Sequence, residues 1–327
     1  MKKIICLFIT IILLFAVCGC NAKSAQNTNT TKKECKEHTY TEKTEIIPTT
    51  FKEGKKKLSC TKCGYKTEEI LPATDSLKIL CIGNSYSVDS MEYLYDIAKD
   101  GGVKNIVLGN LYLAACNLDR HWQNINGALD AYEYFFNSNG KWVKTPNVSV
   151  QSPLRDNSWD IVVLQIADVN NSYANLKNIV EYIENNSINP DIRIYWNLNW
   201  AYQQDSTHNN FRHYDNNQLT MYDRILAFAT SNITPFGKID GIIPSGTAIQ
   251  NLRTTQLGDT LTRDGYHLSY DYGRYCVALT WYSYLTQQNA YKINWIPEKY
   301  PHLKDDLDLI KKSVTDAITT PMGITQQ

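Results

Sequence analysis

No charge dominates this chain. Its 327 residues hold 33 lysines and arginines against 33 aspartates and glutamates, and no basic run exceeds three residues. A protein built mainly to neutralise nucleic-acid phosphates is therefore excluded. Past residue 20, no apolar run approaches the roughly 20 residues of a membrane-spanning helix. Methionine is scarce, at four, so a methionine-lined adaptable surface is out as well. A disulfide framework is also missing: Cys81, Cys116 and Cys276 stand apart in the long C-terminal part, and three thiols cannot all pair. Cys81, within an apolar stretch, reads as a small buried hydrophobe. What is present is a folded composition, 43% hydrophobic and 20% charged, long enough for about two domains and unlike disordered or collagen-like chains. The 22 tyrosines and 7 tryptophans exceed what a core usually needs, which leaves some to grip flat, polar-edged ligands such as sugar rings.

Residues 1–20 place two lysines before an unbroken apolar run that ends in small residues and cysteine, the pattern of an export signal. Val17-Cys18-Gly19-Cys20 resembles a bacterial lipobox, which implies a signal peptide over 1–19 and a diacylglyceryl group on Cys20. Two or three acyl chains there would anchor the mature protein firmly, facing outward. A plain secretory signal cut nearby is the alternative. Residues 20–34 are polar and unpatterned and read as a flexible tether.

A second cysteine group comes next. Cys35 and His38 form one pair, and Cys60 and Cys63 another, each with two intervening residues. Two such pairs suit a tetrahedral Zn²⁺, and Gly64 permits the tight turn that the second pair needs. Between them, alternating polar and apolar residues around Glu53-Gly54 predict two short strands. A segment with so little core would hardly fold without metal. With all four positions filled by protein, the site would be structural rather than catalytic. Residues 35–74 thus read as one module, similar to the small zinc-ribbon modules repeated in clostridial-type surface proteins. A redox cluster of Cys35, Cys60 and Cys63 is the other reading.

From residue 75 onward the pattern changes to alternating strands and helices. Strands are predicted at 76–83, 104–113, 159–165, 191–200 and 240–246, and helices at 91–102, 172–185, 217–231 and 270–287. Leu118 to Phe135 has helical periodicity, and the polar stretch after it looks like a hairpin. Such alternation points to an α/β fold with a parallel sheet covered by helices on both faces, with ligands at the carboxyl ends of the strands. Just past the first strand stands Gly83-Asn84-Ser85-Tyr86-Ser87, where a serine either caps the next helix or is exposed as a nucleophile. Far downstream, Asp264-Gly265-Tyr266-His267 brings a carboxylate and an imidazole within reach on one turn, and such a carboxylate can orient the ring.

Serine after the first strand, Asp-x-x-His before the last helix and a parallel α/β chain between them together resemble the SGNH (GDSL-type) hydrolase superfamily. The match is closer to its branch known as domain of unknown function 4886, through Gly83–Ser87, Cys116–Trp122, Trp159–Gln165, Gly246–Arg253 and Asp264–Ser269. The resemblance spans roughly residues 77–325 and implies a three-layer α/β/α, flavodoxin-like domain over 75–327. It also implies Ser85 as nucleophile, His267 as general base and then acid, and Asp264 as the orienting carboxylate. The superfamily's oxyanion donors would be the Ser85 N–H, the N–H of Ala115 or Cys116, and a third group. The usual Gly-x-Asn-Asp motif for that third donor is absent, so Gln165 is expected to substitute, with Asn170 next in line.

The resulting expectation is a surface-anchored serine esterase that removes O-acetyl or other short acyl groups from carbohydrate. It would need no cofactor for catalysis, a structural zinc in the small module, and no nucleic acid. A non-catalytic glycan-binding lipoprotein and an O-acyltransferase using the same three groups are the alternatives. His121 reads as structural before it reads as a cleft residue, Arg253 as a substrate ligand or a loop brace, and Asp89 as a helix cap. Trp196, Trp200 and Tyr202 form either a stacking platform or core.

Overall fold

The computed structural model describes residue 35 and residues 37–327, so the expected export signal, Cys20 and the tether lie outside the described residues. The first elements are three antiparallel strands, β1 (Tyr40–Ile46), β2 (Gly54–Cys60) and β3 (Lys66–Leu71). This is one strand more than the sequence pattern predicts. β3 alternates like the others but starts only after the Cys60–Gly64 turn. Cross-strand pairs Lys56–Glu42, Lys57–Glu45 and Lys55–Glu68 line the surface of this small sheet, and exposed pairs of this kind add little stability. Thr50 ties the module to the large sheet, donating its hydroxyl to the Ser76 carbonyl at 2.6 Å.

The large sheet has seven strands among the described residues. Five of its strands are parallel: β4 (Ser76–Gly83), β5 (Asn105–Tyr112), β8 (Ile161–Leu164), β9 (Arg193–Asn197) and β10 (Gly241–Ile243). Counted in chain order their arrangement is 2-1-3-4-5, the flavodoxin-like order. Alternate residues feed opposite faces. In β4, Leu77, Ile79 and Cys81 join one core and Leu80 and Ile82 the other; in β8, Ile161 and Val163 part from Val162 and Leu164 in the same way. The first core packs under α1 (Ser85–Met91), α2 (Leu94–Asp100), α7 (Ser245–Arg253), α8 (Tyr272–Thr286) and α9 (Leu307–Thr319). The second packs under α3 (Leu118–Asn126), α4 (Gln151–Asp156) and α5 (Leu176–Asn186), while α6 (Gln218–Phe228) touches both. The layers are thus α/β/α. In α5 the buried residues Leu176, Ile179, Val180 and Ile183 form a helical stripe.

The sheet is not wholly parallel. β6 (Tyr132–Asn137) and β7 (Val143–Val148) form an antiparallel hairpin on the β5 edge. The helical periodicity read through Phe135 therefore ends early: α3 closes at Gly127, Ala128 turns to a φ of +48°, and the aromatic run becomes strand. The first helix likewise begins at Ser85 rather than 91, and a break at Tyr93 divides it into α1 and α2. Among the described residues, no helix is long and apolar enough to cross a membrane.

Candidate active site

The end of β4 delivers Ser85 as the first residue of α1, where its N–H has no intrahelical acceptor. The cap is Asn84, whose side-chain oxygen accepts from the Tyr86 N–H at 3.1 Å, so Ser85 itself does not cap. From 182 positions downstream, His267 Nε2 lies 2.8 Å from Ser85 Oγ. Its Nδ1 lies 2.6 Å from Asp264 Oδ2. The structure thus joins serine, imidazole and carboxylate in one hydrogen-bonded chain, at the carboxyl ends of the parallel strands where such folds bind ligands.

The turn carrying Asp264 and His267 is shaped locally. Thr262 and Leu268 pair as an antiparallel bridge, the Arg263 N–H donates to the His267 carbonyl at 2.9 Å, and Gly265 takes a φ of +87° at the tip. That conformation is open to glycine and strained for other residues. Asp264 Oδ1 accepts the His267 N–H at 2.8 Å. Burial pushes the Asp264 carboxyl upward, but bonds from the His267 ring and from the backbone N–H groups of His267 and Tyr266 outweigh it and hold the group below its ordinary value. The Trp200 indole donates to the Tyr266 carbonyl at 2.7 Å, and the Gln203 N–H to the Gly265 carbonyl at 2.8 Å.

A second support lies underneath. Asp89 is fully buried, one turn past Ser85 on α1. Its carboxylate accepts from Arg263 at 3.0 Å, Arg274 at 2.6 Å and the Leu268 N–H at 2.9 Å. It is no helix cap; it fastens the histidine turn to the serine helix.

The cleft over Ser85 has a volume of about 320 Å³, within the range of small-molecule sites. Larger hollows elsewhere, including one of about 520 Å³ between α8, α9 and the β9–β10 edge, contain none of the three residues. The expected oxyanion residues divide. Ala115 lines the cleft with a φ of +49°, and its N–H has no intramolecular acceptor among the described residues. Cys116 is buried and spends its N–H on the Leu113 carbonyl at 3.2 Å. Gln165 does not face the cleft either: its amide donates to Asn84 Oδ1 at 3.0 Å, and its oxygen accepts from Asn197 at 3.3 Å. It belongs to a buried polar chain behind Asn84 that continues through Asn197 to Ser245 and Trp281. Asn170 is also occupied, its amide on Asp168 at 2.8 Å.

Tyr112, Asp168, Asn171, His208 and Asn210, which no motif indicated, also line the cleft, together with Tyr202, one of the three aromatics that the sequence offered as platform or core. Tyr266, inside the Asp-x-x-His segment, lines the cleft as well. Trp196 and Trp200 are core, and the Tyr202 ring is 3% exposed. His121 is structural: it is buried, 2.9 Å from the Tyr132 hydroxyl, and burial pushes its imidazole down to about 3. Arg253 braces the 201–203 loop through the Ala201 carbonyl at 3.1 Å and pairs with Asp259 at 2.8 Å, outside the cleft. Burial pushes the Cys81, Cys116 and Cys276 thiols up to about 12, far from a nucleophilic thiolate at neutral pH.

In the small module, the ligand atoms of Cys35, His38, Cys60 and Cys63 lie within 4.8 Å of one another. Cys35 and Cys60 sulfurs are 4.0 Å apart, and Cys63 Sγ lies 3.4 Å from His38 Nδ1. Tetrahedral zinc with the usual bond lengths sets these edges at roughly 3.8 and 3.5 Å, so the four groups fit such an ion. Burial raises the Cys60 thiol, yet bonds from His38 and the N–H groups of Lys62 and Cys63 bring it to about 5. Gly64, with a φ of +73°, closes that knuckle.

Residues 78–316 match the sequence model of a family described as a domain of unknown function, DUF4886. A DUF4886 family protein from Bacteroides uniformis, solved by crystallography, is 33% identical with a TM-score of 0.72; the match covers 77% of this chain and 98% of that one. A Slackia heliotrinireducens protein described as a candidate SGNH hydrolase is 16% identical with a TM-score of 0.37, over 65% of this chain and all of that one. No curated protein matches.

Proposed function

The chain belongs to the DUF4886 family, and we propose that it is a serine esterase working through a covalent acyl-enzyme. The observation that carries this is the Ser85–His267–Asp264 chain, at 2.8 and 2.6 Å, whose serine and imidazole line the cleft. His267 Nε2 takes the Ser85 hydroxyl proton as Oγ attacks the ester carbonyl, and Asp264 stabilises the imidazolium that forms. The oxyanion is met by the N–H groups of Ser85 and Ala115. The Asn171 side-chain amide replaces Gln165 and Asn170 as the third donor: Asn171 lines the cleft, and only its backbone N–H, on the Asp168 carbonyl, is spent among the described residues. One such donor is worth about 10²–10³ in rate. Collapse of the intermediate expels the alcohol, which takes the proton from His267. Water, deprotonated by His267, then releases the acid and regenerates Ser85.

The substrate we propose is a short acyl ester, acetyl first, on carbohydrate; tyrosines and amides around a cleft of this size support it. The module at 35–74 would hold a structural zinc. Cys20, by its lipobox-like setting, would anchor the protein outside the cell. The test is acetate release from 4-nitrophenyl acetate and an acetylated polysaccharide by the full chain, Ser85→Ala and His267→Ala. Activity in wild type and background rates in both variants support the reading. Inertness of wild type on a broad ester panel overturns it in favour of a glycan-binding role, and acetyl transfer to an added sugar would make the protein an acyltransferase.

A further inference from the structure

Fixed charge in the cleft is unbalanced. Among the described residues no lysine or arginine lines it, yet Asp168 does, only 4% exposed, on the loop after β8. One of its oxygens, Oδ1, accepts the Tyr214 hydroxyl at 2.5 Å, the Asn170 N–H at 2.9 Å and the Asn170 amide at 2.8 Å. The other, Oδ2, has only His213 Nδ1, 3.8 Å away and beyond hydrogen-bond range. His208, on the same wall, packs edge-on against Tyr202 and Tyr266, and burial pushes its imidazole toward the neutral form. The three donors on Oδ1 would be served as well by an asparagine oxygen, so packing does not explain a carboxylate here. A buried carboxylate with no lysine or arginine partner among the described residues is costly, and it exerts a strong field across a small cleft.

We infer that Asp168 sets substrate charge: the cleft admits uncharged esters, whose neighbouring hydroxyls can donate to Oδ2, and rejects esters that carry a carboxylate, sulfate or phosphate beside the scissile bond. This rests on the esterase reading and deepens it. Asp168 acts on which ester binds, not on the bond-breaking step.

The experiment compares kcat/KM of the full chain on 4-acetoxybenzamide and 4-acetoxybenzoate, nearly the same shape and one negative charge apart, each divided by its hydroxide-catalysed rate. Wild type is expected to favour the amide by about tenfold or more. Asp168→Asn, which keeps the shape and the Oδ1 acceptor, should bring the ratio to within about threefold. His213→Lys, a change at a half-exposed position, should narrow it too by placing a cation beside Oδ2. A wild-type ratio near one overturns the inference without any variant. So does a ratio that survives Asp168→Asn in folded protein. If neither ester is hydrolysed, the esterase reading itself fails; if both are hydrolysed without discrimination, only the charge inference does.

Discussion

Replacing Asp89 by asparagine should weaken both the fold and the site. The wild-type carboxylate is fully buried and pairs with Arg263 and Arg274 while accepting the Leu268 N–H. Asparagine keeps the volume and one acceptor but removes the charge. Arg274, 8% exposed, would then have only Glu92 at 3.3 Å as counter-ion. Breaking a buried pair costs about 3–5 kcal/mol; the acceptor retained by the amide and the partial exposure of Arg263 favour the lower end, about 3 kcal/mol. At 2–4 °C per kcal/mol, the melting temperature should fall by about 6 °C or more. Arg263→Gln, at a side chain that solvent already reaches, should cost only about 1–1.5 kcal/mol. Because Leu268 and Arg263 flank His267, the turn should also drift, and a displacement near 1 Å is enough for about a 10²-fold loss of kcat. Calorimetry and ester kinetics on the same preparations would measure both effects. An Asp89→Asn protein melting within about 2 °C of wild type with unchanged kcat would refute the reasoning.

Three further outcomes are expected. The folded Asp264 carboxyl lies below its ordinary value of 3.8, so its contribution to stability is complete above that pH and lost as pH falls through the folded value. The stability gap between wild type and Asp264→Asn should therefore hold above pH 3.8 and narrow as pH falls below it in denaturation curves, and a gap constant throughout would contradict this. Thiol titration at pH 8 should leave Cys81, Cys116 and Cys276 unmodified until the protein is unfolded, and Cys116→Ser should retain ester turnover. Purified protein should carry about one zinc per chain, lost in Cys63→Ser with exchange protection of β1–β3 falling while turnover persists; full module protection without metal would count against the site.

How far the fold could be read in advance depended on burial. β4 and β8 sit in the middle of the sheet, covered on both faces, so their unbroken apolar runs were plain. α7 escaped notice because all nine of its residues are buried although Ser245, Thr247, Gln250, Asn251 and Arg253 are polar. Those groups are satisfied by distant partners such as the Ser313 carbonyl on α9, which no local pattern can announce. The stretch from Leu118 to Phe135 fits a helical period only until Gly127, and pairing with β5 decides the remainder. At the site, Ser85, Asp264 and His267 were legible because residue type, turn and strand end coincided. The amides were not. Gln165, Asn170 and Asn171 share one chemistry on one loop, and only their hydrogen bonds show which are spent and which face the cleft.

The separation of Ser85 and His267 by 182 positions has a consequence for timing. Every parallel strand of the sheet, and the hairpin at its edge, is synthesised between the serine and the imidazole, apart from β4, which precedes both. A chain released or clipped before residue 267 carries a serine with no base, and a separately folded C-terminal piece carries a base with nothing to deprotonate. Contacts this remote form late. Turnover would therefore appear as the last step of maturation, reporting a completely assembled molecule, and the partly made chain would be harmless to any ester it met.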